Sequence, residues 1–314
     1  MLPQLMKVIR VHQYGGPEVL KLERVPIPNP EVGQVLIHVH TAGVLPYDWK
    51  YRQGYFNESR PASFPYIPGS SFAGTVEKIG PDVHDLYKGQ EVFGRSLFGT
   101  YAEYTVASAE GLILKPAALT FDESVTIPGS AVTAWLTLFR EGELKKGEKV
   151  LIHGGAGGFG MIAVQLAKWK GAHVISTCSA ENIDFLYSLG VDTVIDYTSE
   201  SFDKIVRDVD LVVDTVGGDT LERSWAVVKK GGKLLSLVED TSVEKVHMFG
   251  LKPVKPFSIP LPEETKNISQ TISKMIVEKQ IRIIISKKFP LEKAHEAHRL
   301  SQQGHGRGRI ILKV

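Results

Sequence analysis

Three glycines at fixed spacing, Gly155, Gly157 and Gly160, carry the clearest chemistry in this chain. They belong to Gly155-Ala156-Gly157-Gly158-Phe159-Gly160, between the apolar run Lys149-Val150-Leu151-Ile152 and an amphipathic run from Met161 to Trp169. A G-x-G-x-x-G segment reads as a dinucleotide site where it joins a strand to a helix, and these flanks supply both. Gly155 is expected to permit the tight turn and Gly157 to let backbone N–H groups approach a pyrophosphate. Gly160 is expected to let the helix pack closely on the strand. The phosphates then meet the positive end of the helix dipole. A glycine-rich turn with no ligand would not require this spacing.

The next strand end reads Ser176-Thr177-Cys178-Ser179. In an NAD site an acidic residue stands about twenty residues past the motif and binds the ribose 2′-hydroxyl. Here no carboxylate repels a 2′-phosphate, and the hydroxyls of Thr177 and Ser179 are donors for one. Asn182 and Tyr197 add further donors. The reading is NADPH, although the stretch has no arginine and Asp196 would oppose a phosphate if it pointed inward. A structural role for Ser179, capping a helix that begins near Asn182, is compatible with phosphate contact.

These residues need a frame. From Met1 to about Lys115, short alternating runs such as Gln34 to His40 are separated by dense Gly and Pro turns, which predicts an antiparallel β domain. From about Thr120 the texture changes. A helix is expected over Pro128 to Phe139. Strands are expected at His173–Thr177, Thr193–Asp196, Asp210–Asp214 and Lys233–Val238, with a helix at Asn182–Leu189. Apolar β-branched runs alternating with helices indicate an α/β, doubly wound parallel sheet. A sixth strand is expected within Lys245 to Ile259. The tail, Ile281 to Val314, returns to short strands around a helix at Pro290–Gln303 and is expected to rejoin the first domain. The expected division is 1–120, 121–270 and 271–314.

The chain has 314 residues, a net charge of +2 and one cysteine, Cys178. That charge gives no electrostatic reason to expect nucleic acid or an anionic membrane. One cysteine allows no intramolecular disulfide. Met1 to Val11 lacks the apolar core of a signal peptide, and no apolar run is long enough to span a bilayer. The expectation is a soluble cytoplasmic protein.

With the motif placed, the chain resembles the zinc-free quinone oxidoreductase branch of the medium-chain dehydrogenase/reductase (MDR) superfamily, almost end to end. The resemblance rests on Ala42-Gly43-Val44 through Lys50, Gly69 through Val76, Thr133-Ala134-Trp135 and His153 to Gly160. It continues in Ala163 to Lys168, Leu189-Gly190, Asp196-Tyr197, Asp214 to Gly218, Gly304-His305 and Arg307-Gly308-Arg309. It implies a GroES-like catalytic domain built from both chain ends, a Rossmann domain between them, NADPH as cofactor and a homodimer. It further implies that Thr133, Val216, Leu237 and Val238 lie beside the nicotinamide. Ser179, Asn182 and Tyr197 would surround the adenosine phosphate, and Arg307 and Arg309 would return near the cofactor. Many relatives carry Asn where this chain has Leu45, which offers no hydrogen bond.

Zinc relatives use an early cysteine and a Gly-His-Glu segment, where this chain has Gly69-Ser70-Ser71. No metal is expected, and the pairs His38/His40 and His295/His298 read as solvated or packed. Without a Lewis acid the acceptor must take hydride readily, as quinones and α,β-unsaturated carbonyls do. Lys50 is the candidate donor to the developing oxyanion, against the alternatives of a surface lysine or a ribose contact. Asp48 is the candidate to orient Lys50 or the ribose, against a helix-start carboxylate paired with Arg52. Tyr51, Tyr55 and Phe56 offer an aromatic wall or simply core. The competing class is an NADPH-binding structural or regulatory protein with little turnover.

Overall fold

The protein was described from a computed structural model covering residues 4–254, 260–304 and 306–314. The chain forms two compact units. Unit 1 comprises Met1–Gly129, Pro260–Lys279 and Ile283–Val314, and unit 2 comprises Ser130–Ile259 with Gln280–Arg282.

Unit 1 begins with β1 (Leu5–Arg10), β2 (Lys21–Pro26) and β3 (Gln34–Val44). Helix α1 (Pro46–Arg52) follows, then β4 (Ser71–Ile79), β5 (Glu91–Arg95), β6 (Tyr104–Ser108), β7 (Ile113–Leu114) and α2 (Phe121–Ser124). Pro46 starts α1, where a missing N–H leaves no bond unmade.

In unit 2 the helical run begun at Ile127 passes through α3 (Val132–Trp135) and ends at Glu141, with π-helical turns on either side of α3. Then come β8 (Lys149–Ile152), α4 (Gly160–Trp169), β9 (His173–Cys178), α5 (Ile183–Ser188), β10 (Thr193–Asp196) and α6 (Phe202–Ile205). The unit continues with β11 (Val209–Asp214), α7 (Gly218–Ser224), β12 (Val228–Ser236) and α8 (Val243–Met248). The five strands are all parallel, in the order β10-β9-β8-β11-β12. The chain winds outward from central β8 in both directions, which is the doubly wound arrangement. Every residue of α4 from Gly160 to Ala167 is buried. Each fully buried Val, Leu or Ile there contributes about 1.5–3 kcal/mol. Cys178 closes β9, is buried, and has its thiol pKa pushed up to about 11 by burial.

No sixth strand forms among the described residues. Val243–Met248 is helical instead, because the Ser242 hydroxyl accepts the Lys245 N–H and caps it. The rest of the expected strand, 255–259, lies outside the described residues, as does His305.

The chain returns to unit 1 with α9 (Pro262–Val277), β13 (Ile285–Pro290), α10 (Ala294–Gln303) and β14 (Arg309–Lys313). Its sheet runs β13-β14-β3-β4-β5-β7, with β6 also pairing β3. One edge of β3 is shared between β6 along Gln34–His38 and β14 along Thr41–Val44. The C-terminal strand is therefore built into the N-terminal sheet. The chain crosses between units at 129/130 and 259/260 rather than at 120/121 and 270/271. The reason is packing: α2 lies on β3 and β4, and α9 packs near β7. The segment expected to open a helix at Pro290 instead ends β13 there, and α10 starts at Ala294. Among the described residues no helix is long and apolar enough to cross a membrane.

Candidate active site

In unit 2 the glycine segment links β8 to α4. Gly154, not Gly155, makes the tight turn: its φ is +71°, and its carbonyl accepts the Gly157 N–H at 3.1 Å. Gly155 is required by packing, since a Cβ there would stand 2.0 Å from Ser176 Oγ. A Cβ on Gly160 would meet the Gly154 carbonyl oxygen at 2.2 Å, so only glycine lets the helix start this close to the turn. At Gly157 a Cβ meets nothing nearer than 3.4 Å, so this face is open to a ligand. The N–H groups of Gly158, Phe159 and Gly160 have no hydrogen-bond partner among the described residues. Ala156 completes a row of main-chain dipoles at the start of a ten-residue helix, which favours an anion.

The strand end after α4 is held by side-chain hydrogen bonds. Thr177 Oγ1 lies 3.1 Å from His153 Nδ1 and accepts the Gly154 N–H at 3.4 Å. Thr177 is therefore a brace beneath the turn rather than a free donor. Ser179 occupies the cap position of the turn Ala180–Asn182 but makes no capping bond with its side chain. Its hydroxyl instead accepts from Asn182 Nδ2 at 3.0 Å. Tyr197 is half-exposed, and its N–H reaches the Cys178 carbonyl at 3.1 Å. Asp196 is held by Thr198 and Ser199, whose hydrogen bonds lower its pKa.

At the other side of β8, Asp214 ties two loops together. Its carboxylate accepts the N–H groups of Val216 at 3.0 Å and Gly217 at 3.1 Å and the Ser236 hydroxyl at 2.7 Å. Its carbonyl accepts the Leu237 N–H at 2.9 Å. Val216 is 55% exposed, and Leu237 and Val238 are half-buried. One buried carboxylate thus sets the positions of three residues expected near the nicotinamide. Sequence reasoning did not assign a role to Asp214. Its signal was a carboxylate closing an apolar strand just before Gly217-Gly218. His153 was also missed. It is fully buried between Thr177 and Ser224, and burial brings its pKa down to about 4. Thr133 stands in α3 of the same unit.

In unit 1 the candidate residues sit on α1. Asp48 is 5% exposed, and its Oδ2 accepts the Leu45 N–H at 2.8 Å and the Tyr101 hydroxyl at 3.2 Å. Burial pushes its pKa up to about 6, against those hydrogen bonds and the charges of Arg309 and Arg95. The expected Asp48–Arg52 pair does not form. Arg52 is fully buried, and its Nε donates to His298 Nδ1 at 3.3 Å, Nη1 to the Gly15 carbonyl and Nη2 to Gln302. Nor does Asp48 orient Lys50. The Lys50 ammonium lies 5.8 Å from the centroid of the Trp49 ring and is half-buried. The aromatic wall is built from Tyr47, Tyr51 and Phe56, with Tyr47 stacked on both at 5.8 and 5.2 Å. Tyr55 turns away to meet Trp49 edge-on.

Arg307 is exposed in the loop before β14. Arg309, which opens β14, is 4% exposed. Its Nε has no hydrogen-bond partner among the described residues, and burial lowers its pKa to about 10.

Residues 31–117 match the family described as "Alcohol dehydrogenase GroES-like domain", and residues 189–312 the one described as "Zinc-binding dehydrogenase". The chain is 31% identical to a mouse "Quinone oxidoreductase" over 98% of both chains. It is 31% identical to an Arabidopsis thaliana "NADPH-dependent alkenal/one oxidoreductase, chloroplastic", covering 99% of this chain and 80% of that one. The solved Escherichia coli quinone oxidoreductase complexed with NADPH superposes with a TM-score of 0.92 at 27% identity, over 98% of this chain and all of the other. One of these descriptions names zinc. Among the described residues no three His, Cys, Asp or Glu side chains come together as a metal site. His40 lies 2.9 Å from Thr75 Oγ1 and stacks on Phe121, His38 leans on Tyr104, and His298 is bound to Arg52 and Tyr101. Cys178 closes a strand of the other unit. The sheet joined from both chain ends, the glycine turn and the end-to-end likeness agree: the chain belongs to the quinone oxidoreductase branch of the MDR superfamily.

Proposed function

We propose that this chain is an NADPH-dependent reductase that passes hydride to quinones or α,β-unsaturated carbonyls with no metal ion assisting. The observation that carries the reading is the glycine turn with an open face at Gly157 and free N–H groups at the start of α4. NADPH supplies the hydride. The chain supplies the rest. Ala156 to Gly160 hold the pyrophosphate, and Ser179, Asn182 and Tyr197 the adenosine phosphate. Thr133, Val216, Leu237 and Val238 position the ring, and Arg307 and Arg309 give positive charge. In unit 1 the Tyr47–Tyr51–Phe56 stack offers a flat surface to a planar acceptor. Lys50 donates a hydrogen bond to the oxygen on which charge develops. Asp48 acts by fixing the start of α1 through Leu45 rather than by touching Lys50.

The names of both curated relatives favour turnover over a purely regulatory nucleotide-binding role. The same reading makes the chain a cytoplasmic homodimer joined through an edge of its parallel sheet and assigns it no nucleic-acid or membrane partner. Calorimetry with NADPH and NADH, and steady-state rates on a panel of quinones and enones, test it. NADPH binding tighter than NADH, with NADPH oxidation by at least one acceptor, is the expected result. Binding with no oxidation across the panel would return the regulatory alternative.

A further inference from the structure

His153 stands where three segments of unit 2 meet. It follows β8, its N–H donates to the Val213 carbonyl at 3.0 Å, and its own carbonyl accepts the Thr215 hydroxyl at 2.8 Å. The ring is fully buried and edge-on to Phe202, with Nδ1 3.1 Å from Thr177 Oγ1 and Nε2 3.0 Å from Ser224 Oγ. When both nitrogens of a buried imidazole are bonded, its partners decide which one carries the proton. Ser224 spends its one hydroxyl proton on the Thr220 carbonyl, at 2.7 Å. Its oxygen therefore accepts from Nε2. Burial keeps the ring neutral against the nearby charge of Asp214, and Arg223 acts with burial. Nδ1 is then a bare acceptor.

The consequence falls on Thr177. Its hydroxyl proton goes to His153 Nδ1, and its oxygen accepts the Gly154 N–H at 3.4 Å. Gly154, with φ +71°, makes the turn that opens the glycine segment, and the Thr177 carbonyl accepts the next N–H, that of Gly155, at 3.1 Å. A hydroxyl has one proton, so this one is not offered to a cofactor phosphate. We propose that His153 is a positioning residue for the glycine turn. Protonated at Nε2, it fixes the Thr177 hydroxyl as the acceptor beneath Gly154. It thereby supports the diphosphate common to both nicotinamide nucleotides and leaves the choice between NADPH and NADH to Ser179, Asn182 and Tyr197. The proposal rests on the dinucleotide reading, but the proton position is a property of the cofactor-free protein.

The test measures Kd for NADPH and for NADH by calorimetry in the wild type, His153→Gln, His153→Asn and Thr177→Val. The shorter amide of His153→Asn sets an oxygen near the place of Nδ1 and keeps the acceptor. The longer amide of His153→Gln lies near the place of Nε2 and loses it. Both loosen the packing against Phe202 and lower the unfolding midpoint. His153→Gln and Thr177→Val are expected to weaken binding by about fivefold, the size of one hydrogen bond, and equally for both nucleotides. His153→Asn should recover most of that loss, which a role in stability alone does not predict. The double variant His153→Gln/Thr177→Val should lose no more than either single one. In the cofactor-free wild type, NMR of the ring nitrogens should show a proton on Nε2 and none on Nδ1. A loss in Thr177→Val confined to NADPH would make Thr177 a direct phosphate donor and overturn the proposal. Unchanged affinity in His153→Gln, or a proton on Nδ1, would overturn it too. A wild type that binds neither nucleotide would instead overturn the dinucleotide reading itself.

Discussion

His298 Nε2 lies 3.1 Å from the hydroxyl of Tyr101, and the hydrogen bond has a direction. Arg52 donates to His298 Nδ1, so Nδ1 is the acceptor and Nε2 carries the proton. His298 therefore donates to Tyr101, and Tyr101 donates to Asp48. Four buried side chains, drawn from α1, α10 and the segment after β5, form one directed chain ending at the start of α1. Tyr101→Phe removes its middle link. The Asp48 carboxylate loses a donor that favours its charged form, so its pKa is expected to rise above the present value of about 6. The acidic limb of the pH–rate profile should move upward with it. Stability should fall by about 1–3 kcal/mol, measured by denaturant titration.

The same chain sets the response of stability to acid. His298 has its pKa lowered from 6.5 to about 3 by burial and by Arg52. Its contribution is complete above pH 6.5 and is lost as pH falls from there toward 3. Asp48 is raised from 3.8 to about 6, the opposite sign. Its contribution is complete below pH 3.8 and is lost as pH rises through 6. Between about pH 4 and 6 these two slopes are equal and opposite and cancel, so the net decline comes from the buried His153, whose pKa is lowered from 6.5 to about 4. Wild-type stability should therefore decline between pH 6.5 and 4. In His298→Gln the slope over that range should be shallower by up to about one proton. An unchanged slope would show that His298 is not the titrating group.

Gly157 and Gly160 separate folding from binding. Gly160→Ala drives a methyl against the Gly154 carbonyl and should destabilise the protein by about 1–3 kcal/mol. Gly157→Ala meets only the Gly154 carbonyl oxygen, at an ordinary contact distance of 3.4 Å, so it should cost less than about 1 kcal/mol. It should nevertheless weaken NADPH binding by about tenfold or more, by standing where the phosphates approach. Thermal unfolding and calorimetry on both variants distinguish the two effects.

Asp214→Ala leaves the Val216 and Gly217 N–H groups and the Ser236 hydroxyl without their acceptor. A loss of about 3 kcal/mol is expected, with a raised KM for NADPH as both loops loosen. Wild-type KM in a folded variant would show that these loops do not hold the cofactor.

What the sequence revealed follows from range. The glycine turn, the parallel strands and the returning tail are written in local spacing and periodicity. Their positions came within a few residues, as with Thr193–Asp196 and Gly160–Trp169. The expected pairing of Asp48 with Arg52 failed because helix spacing makes such pairs available without making them preferred. Arg52 found stronger partners on α10, which lies 246 residues further along the chain. The Tyr101–His298 link joins residues 197 positions apart, and no local pattern announces it. Among the described residues, the start of the expected sixth strand is helical: apolar residues around Val246 suit a strand or a helix, and the cap at Ser242 decides between them.

The placement of Cys178 bears on survival among such acceptors. Quinones and enones are electrophiles that alkylate thiolates, and a protein that handles them exposes its own nucleophiles to every molecule it admits. Here the sole sulfhydryl is sealed at the end of a central-sheet strand and kept protonated at neutral pH. The fold denies its reagents the one sulfur they would attack first, so slow inactivation by adduct formation at that sulfur should begin only when the sheet itself opens.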